Sequence, residues 1–293
     1  MSRAAVRIPH PTTYVGLPGG DRLALVDLPA AAPAAPADRG PGLPVLLVPG
    51  FTGSKEDFGP VLAPLAAGGH RVLALDQRGQ FESDGPLDPA AYLPDVLAGD
   101  LLALTELLAT GPVHLVGHSF GGLVARAAVI ADRSPWASLT LLDSGPAALE
   151  GIRRSSTELF ASAARGMPLA TVWDGVLAFW AAEGHVAGGG AADFQRDRFF
   201  TTAPGAHAGI AEALLTEPDR VAELRAALDG LPVQVVYGEA DEAWPPSVQS
   251  AMAAELGARD VCLPGAGHSP AYESPRALAV ALLEFVTAAE AAG

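Results

Sequence analysis

The sequence predicts an α/β fold: a mostly parallel central sheet with helices on both faces. Three observations carry this expectation. Short apolar runs at residues 45–48, 72–75, 113–116, 139–142, 233–237 and 261–263 recur between longer segments of helical period. The runs are continuous rather than alternating, as strands covered on both faces require. Strand and helix then take turns along the chain, which is the pattern of parallel strands joined by crossover helices. With 49% apolar and 17% charged residues in 293, the chain can bury about three quarters of its unfolded surface.

In chain order, residues 13–27 alternate and turn at Leu17-Pro18-Gly19-Gly20-Asp21, predicting an opening β-hairpin. Residues 28–42 are rich in alanine and proline, and prolines lack the N–H a central strand needs, so an exposed extended loop is expected. Asp88-Pro89 has the form of an N-cap followed by an N1 proline. Val96, Leu97, Asp100, Leu101, Leu104, Leu107 and Leu108 then keep one face mostly apolar until Gly111. Ala277, Ala279, Val280, Leu283 and Val286 predict a helix near the C-terminus. Between Gly145 and Leu231 no strand-like run occurs, yet Phe160, Trp173, Phe179, Trp180, Phe194, Phe199 and Phe200 fall there, 7 of the 18 aromatic residues. A helical insertion above the sheet is expected. The core is thus 1–144 and 232–293, with a helical cap over 145–231, whose aromatics either line a pocket or pack the cap onto the core.

Composition excludes several functions. Lys and Arg number 18 against 33 Asp and Glu, a formal charge of −15. Such a balance, with no basic cluster, argues against a nucleic-acid partner and against docking on anionic lipid. No run approaches the ~18 apolar residues of a membrane span. The first residues lack an apolar signal region, so the cytoplasm is the expected location. The single cysteine, Cys262, lies in an apolar run and is expected in the core.

The chemistry centres on Gly117-His118-Ser119-Phe120-Gly121, a G-x-S-x-G between an apolar strand and a helix-forming segment. In a chain of this composition the pattern alone arises by chance about 0.2 times, so its context matters. A serine at the tip of a tight strand-to-helix turn has an exposed hydroxyl, and glycines on either side remove side chains that would collide. A serine hydroxyl needs a base, and the base needs a carboxylate to fix its tautomer. Of His185, His207 and His268, His268 is the expected base, since Gly265-Ala266-Gly267-His268 follows the last strand while the others fall in the insertion. For the acid, Asp241 after the strand at 233–237 is favoured, with Asp143 after the strand at 139–142 as its competitor. Asp76 and Arg78 are expected to pair with each other. Trp136 and Trp244 are expected to pack, and Arg153-Arg154 to be solvated.

With these residues in view, the chain resembles the α/β-hydrolase superfamily over nearly its whole length. Residues 76–86 are similar to that family's D-x-R-G-x-G-x-S-D-x-P loop, 238–241 to its G-x-x-D acid loop and 265–268 to its G-x-G-H base loop. The resemblance implies an oxyanion hole made by the backbone amides of Phe51 and Phe120. It also implies a serine hydrolase acting on an ester-like carbonyl through Ser119, Asp241 and His268, without metal or organic cofactor. Relatives that open epoxides or displace halide use aspartate at the elbow, so Ser119 points away from them. Lactones, thioesters, amides, C–C bonds and perhydrolysis fit the same triad, and a non-catalytic ligand-binding member is the rival of another class. The aromatic cap implies a small, mainly apolar acyl substrate; the oligomeric state is left open. Two departures stand out. Pro49-Gly50-Phe51 replaces the family's His-Gly-x, and Gln80-Phe81 stand where relatives favour His-Gly.

Overall fold

The computed structural model describes residues 5–31, 42–182 and 189–292. Most of the proline-rich 28–42 segment, and His185, lie outside them. The hairpin is β1 (Thr13–Gly16) and β2 (Arg22–Leu28), and the six apolar runs form β3 (Gly42–Val48), β4 (His70–Leu75), β5 (Val113–His118), β6 (Trp136–Leu142), β7 (Val233–Gly238) and β8 (Arg259–Leu263). One eight-stranded sheet has the order β1-β2-β4-β3-β5-β6-β7-β8. The hairpin and its pairing with β4 are antiparallel, and all later pairs are parallel.

Successive residues of each strand point to opposite faces, so each apolar run serves two layers. Leu46, Val48, Leu73, Leu75, Leu115 and Leu139 pack on α2 (Pro94–Leu107) and α3 (Phe120–Ala131), in a cluster that also takes in residues of α8 (Val221–Ala227) and α9 (Pro246–Leu256). Val45, Leu47, Val72, Ala74 and Val116 face α1 (Gly59–Ala67) and α11 (Pro275–Ala292) on the other side. Each such buried Val or Leu contributes about 1.5–3 kcal/mol.

Several expectations require correction. Asp88 does cap, its carboxylate accepting the Ala90 N–H at 3.0 Å, but Pro89 opens only a 3-10 turn (Pro89–Tyr92). The α-helix begins at Pro94, because that proline has no N–H to continue a ladder and holds Leu93 extended at ψ 146°. Within α2, Val96 and Leu107 face solvent. The buried face of α11 is Leu278, Ala279, Ala281, Leu282, Phe285 and Val286, while Val280 is exposed. Cys262 is exposed, since β8 is the edge strand and has one uncovered face. Burial of part of its side chain, with Glu239 and Asp260 nearby, raises its thiol above the ordinary range, which disfavours the reactive thiolate. Asp76 and Arg78 do not pair: Asp76 takes the buried Lys55 ammonium at 2.9 Å, and Arg78 reaches Asp100 (2.6 Å) and Asp21 (2.5 Å).

Between β6 and β7 the described residues form helices α4 (Gly151–Gly166), α5 (Leu169–Ala182), α6 (Gly190–Thr201), α7 (Pro204–Thr216) and α8. Helices α7 and α8 share the main apolar cluster through Ala206, Ile210, Leu214, Val221 and Leu224. Further out, α4, α5 and α6 supply a separate cluster built on Val172, Trp173 and Phe199. The short α10 (Pro270–Glu273) completes the helices.

Candidate active site

The strand order sets the site. From β3 the chain runs outward to β4, then returns to place β5 on the other side of β3. A crevice opens where the order reverses, beyond the carboxyl ends of the strands. Val48 at the end of β3 pairs with Gly117 at the end of β5, so the loop after β3 lies beside Ser119. The contact is close enough that a Cβ on Gly50 would sit 2.9 Å from the Ser119 Cβ.

Ser119 has φ 54° and ψ −122°, a strained conformation for a residue with a side chain, costing about 1–3 kcal/mol. Its N–H donates to the Leu142 carbonyl (2.9 Å) and its carbonyl accepts from the Gly122 N–H (2.9 Å), which hold the turn. Side chains at two neighbouring positions would break it: a Cβ on Gly117 would collide with the Gly121 carbonyl, and one on Gly121 with the Val48 and Pro49 carbonyls. The amide of Phe120 is the first of α3, among those with no acceptor inside the helix.

Three of the predicted side chains meet. His268 Nδ1 lies 2.9 Å from Asp241 Oδ1, and His268 Nε2 lies 3.0 Å from Ser119 Oγ. Burial opposes ionisation of Asp241, but His268, the Ala243 N–H and Gln249 together hold its carboxyl below the ordinary range. An ionised Asp241 only accepts, so Nδ1 carries the ring proton and Nε2 accepts from the Ser119 hydroxyl. The supports were invisible in the sequence. Gln249 on α9 donates to Asp241 Oδ2 (2.7 Å) and to the Trp244 carbonyl (2.7 Å). His118 Nε2–H donates to the His268 carbonyl at 2.8 Å, and burial lowers the His118 imidazole to about 4, so it is a neutral donor at pH 7. Asp143 lies next to Asp241, not against the His268 ring nitrogen that Asp241 holds.

The loop after β3 is tied by two glutamines. Gln77 Nε2 donates to the Pro49 carbonyl (2.8 Å) and Gln80 Nε2 to the Gly50 carbonyl (2.7 Å), while the Gln77 N–H anchors Gln80 Oε1 (3.1 Å). In a trans peptide the C=O and the following N–H point in opposite directions. Holding the Gly50 carbonyl therefore aims the Phe51 N–H the other way. Phe81 occupies a position with φ 38°, which favours glycine, and its ring packs on Phe194 at 5.5 Å.

The insertion reaches the site through aromatics. Phe160 of α4 meets Phe51 edge-on at 5.0 Å and lies 5.8 Å from His207, which donates its Nε2–H to the Phe199 carbonyl rather than to the serine. Trp136 and Trp244 are buried as expected, and Trp244 lies 6.3 Å from the His268 ring. Arg153 is not merely solvated: it pairs with Glu242 at 3.3 Å and covers the Phe179 ring. Arg154 pairs with Glu158 at 3.0 Å. At the opposite end of the sheet His70, His114 and Glu290 bring possible ligand atoms within 4.8 Å of one another. These already bond to neighbours: His70 Nδ1–H donates to the Leu43 carbonyl, Leu43 N–H to Glu290, and His114 Nδ1 meets Ser138 Oγ.

Residues 45–281 match the profile of the Alpha/beta hydrolase family. A Variovorax paradoxus protein named for carbamate hydrolysis, RutD, is 40% identical over 108 residues, 37% of this chain and 39% of that protein. Epoxide hydrolase 2 of Siraitia grosvenorii is 35% identical over 89 residues, 30% of this chain and 28% of its own. Those alignments therefore span well under half of either relative. A thermophilic esterase from Thermogutta terrifontis superposes with a TM-score of 0.75 at 25% identity, covering 95% of this chain and 99% of the esterase. Among the described residues no helix is long and apolar enough to cross a membrane. A profile match across most of the chain, on a sheet with this strand order and elbow, leads to one conclusion: the chain belongs to the alpha/beta hydrolase family.

Proposed function

We propose that this protein is a serine hydrolase that cleaves a carboxylic ester, or a related acyl bond, of a small and mainly apolar substrate. The observation that carries this reading is the unbroken hydrogen-bond chain from Ser119 Oγ to His268 (3.0 Å) to Asp241 (2.9 Å) beyond the carboxyl ends of β5, β8 and β7. Ser119 is the nucleophile: as its oxygen attacks the carbonyl carbon, its proton passes to His268 Nε2. Asp241 balances the imidazolium and keeps the ring in register. The amides of Phe51 and Phe120 receive the oxyanion, and His268 returns the proton to the leaving alcohol. Water, deprotonated by His268, then releases the acid and frees Ser119.

The same chemistry separates the carbonyl reading from epoxide opening. A serine that opened an epoxide would be left as an ether, which water does not cleave, whereas the acyl-enzyme is an ester. Lactones, thioesters, amides and C–C bonds share the acyl-enzyme path and form the natural comparison panel. The helices of 145–231 act as a cap in this reading, supported by the Phe51–Phe160 contact, which puts an apolar cap side chain against the proposed oxyanion loop.

Labelling with a fluorophosphonate tests the nucleophile. The expected result is one adduct on Ser119 in the folded protein and none in Ser119→Ala. Folded protein that stays unlabelled would overturn the proposal.

A further inference from the structure

Asp143 ends β6 between the elbow on β5 and the acid loop on β7, and it is fully buried. It takes φ 44°, a region that disfavours any residue with a side chain. Its Oδ1 accepts the Gly238 N–H at 2.9 Å, while its Oδ2 is buried without a donor. One carboxyl oxygen each of Asp143 and Asp241 and a ring nitrogen of His268 lie within 4.8 Å of one another. Two carboxylates thus share a water-poor site with one imidazole, and that imidazole is engaged by Asp241.

We propose that Asp143 and Asp241 hold a single proton between them, with Asp143 the neutral acid that donates its Oδ2–H to Asp241. Asp143 is then a positioning residue, acting on His268 through Asp241, and the inference rests on the triad reading above. The proton gives the otherwise orphaned Oδ2 a role. Leaving a buried oxygen unpaired is unfavourable, and placing two ionised carboxylates side by side is more so. The charged and titratable groups around Asp143 point the same way. Burial is the largest influence raising its carboxyl well above the ordinary range; Asp241 adds its negative charge and a hydrogen bond, Glu273 of α10 adds more negative charge, and only the Gly238 N–H opposes them. Asp241 accepts from His268, Ala243 and Gln249 as well, so a fourth donor fixes the carboxylate on all sides.

Two measurements test this. The first is isotope-edited infrared spectroscopy of 13C-aspartate protein at pH 7, wild type against Asp143→Asn. A protonated-carboxyl band present in the wild type and lost in the variant is expected; its absence from the wild type overturns the proposal. The second is kinetic. Asn at 143 can donate from its amide to Asp241 and still accept from Gly238, so Asp143→Asn should keep kcat/KM within about threefold, while Asp143→Ala should lose about tenfold or more with a shifted pH profile. Equal behaviour of the two variants, or a loss from Asp143→Asn as large as that from Asp241→Asn, overturns it. The infrared result needs no turnover. A protonated carboxyl in a protein whose Ser119 takes no label would therefore sink the triad reading and leave the shared proton standing.

Discussion

The strand ends and the outer helices of the insertion are built to different tolerances. At the strand ends, Ser119, Asp241 and Gln249 are buried, and the acid and its supports are bonded to several partners each. Among the described residues of α4 only Thr157 and Ala161 are buried, and of α5 only Val172 and Trp173, while Ile152, Leu159, Met167 and Leu177 face solvent. A sheet fixes positions through a ladder shared by eight strands. A few helices resting on a small aromatic cluster have fewer contacts to lose and more freedom to repack. In the proposed reaction this is a division of labour, in which the proposed reacting groups rest on the sheet and substrate selection on the helices.

Four changes break or sharpen this contrast. The largest effect should come from Asp241→Asn, which leaves the fold intact but puts His268 in the wrong tautomer. A loss of about 10³–10⁴ in kcat is expected on a p-nitrophenyl ester, and a smaller loss than that from Asp143→Asn would reverse the assignment of the acid. Next is Gln80→Leu, which removes one of the two donors on the Gly50 carbonyl, leaving the Gly53 N–H at 3.1 Å, and so loosens the peptide. We expect a fall of about tenfold to a hundredfold in kcat with KM little changed, less than outright loss of an oxyanion donor, together with weaker inhibition by a boronic acid that mimics the tetrahedral intermediate.

In the insertion, Phe160→Ala should act on selection instead. KM and the preferred acyl length should move by up to about tenfold while kcat on the best substrate holds, as read from a chain-length series. A kcat loss matching that of Gln80→Leu would erase the distinction between the two regions. The smallest effect concerns acid. Burial holds His114, His118 and His207 below the ordinary histidine value, so the unfolded chain binds protons first as pH falls. Their contribution to stability is complete above about pH 6.5 and is lost toward the folded values, about 4 for His118. The Tm should drop between pH 7.5 and 5, and His118→Gln should lessen the drop.

Much of this architecture was legible in the chain because its signals are local. Six apolar runs became six strands, and the glycines around Ser119 marked the elbow because close backbone approach leaves no alternative residue. The place of His268 after the final strand was readable in the same way. Most of the failures depended on a neighbour remote in sequence, whereas the helix restart at Pro94 was local. Arg78 met Asp100 and Asp21 rather than Asp76, Cys262 was uncovered by lying on the edge strand, and Pro94 restarted a helix that one cap had been expected to begin. Gln80 looked like a departure from its relatives, and its carboxamide proves to hold a carbonyl 30 residues earlier.

The α/β alternation, the serine at a strand-to-helix turn and the order of Ser119, Asp241 and His268 along the chain could be read from the sequence, since hydrophobic period and turn chemistry act over a few residues. Tertiary structure alone decided which carboxylate meets His268, which donors hold the loop after β3, and that Asp143 stands beside Asp241 rather than in its place. Those outcomes depend on strand order, which brings the ends of β5, β6, β7 and β8 side by side and sets every distance between them.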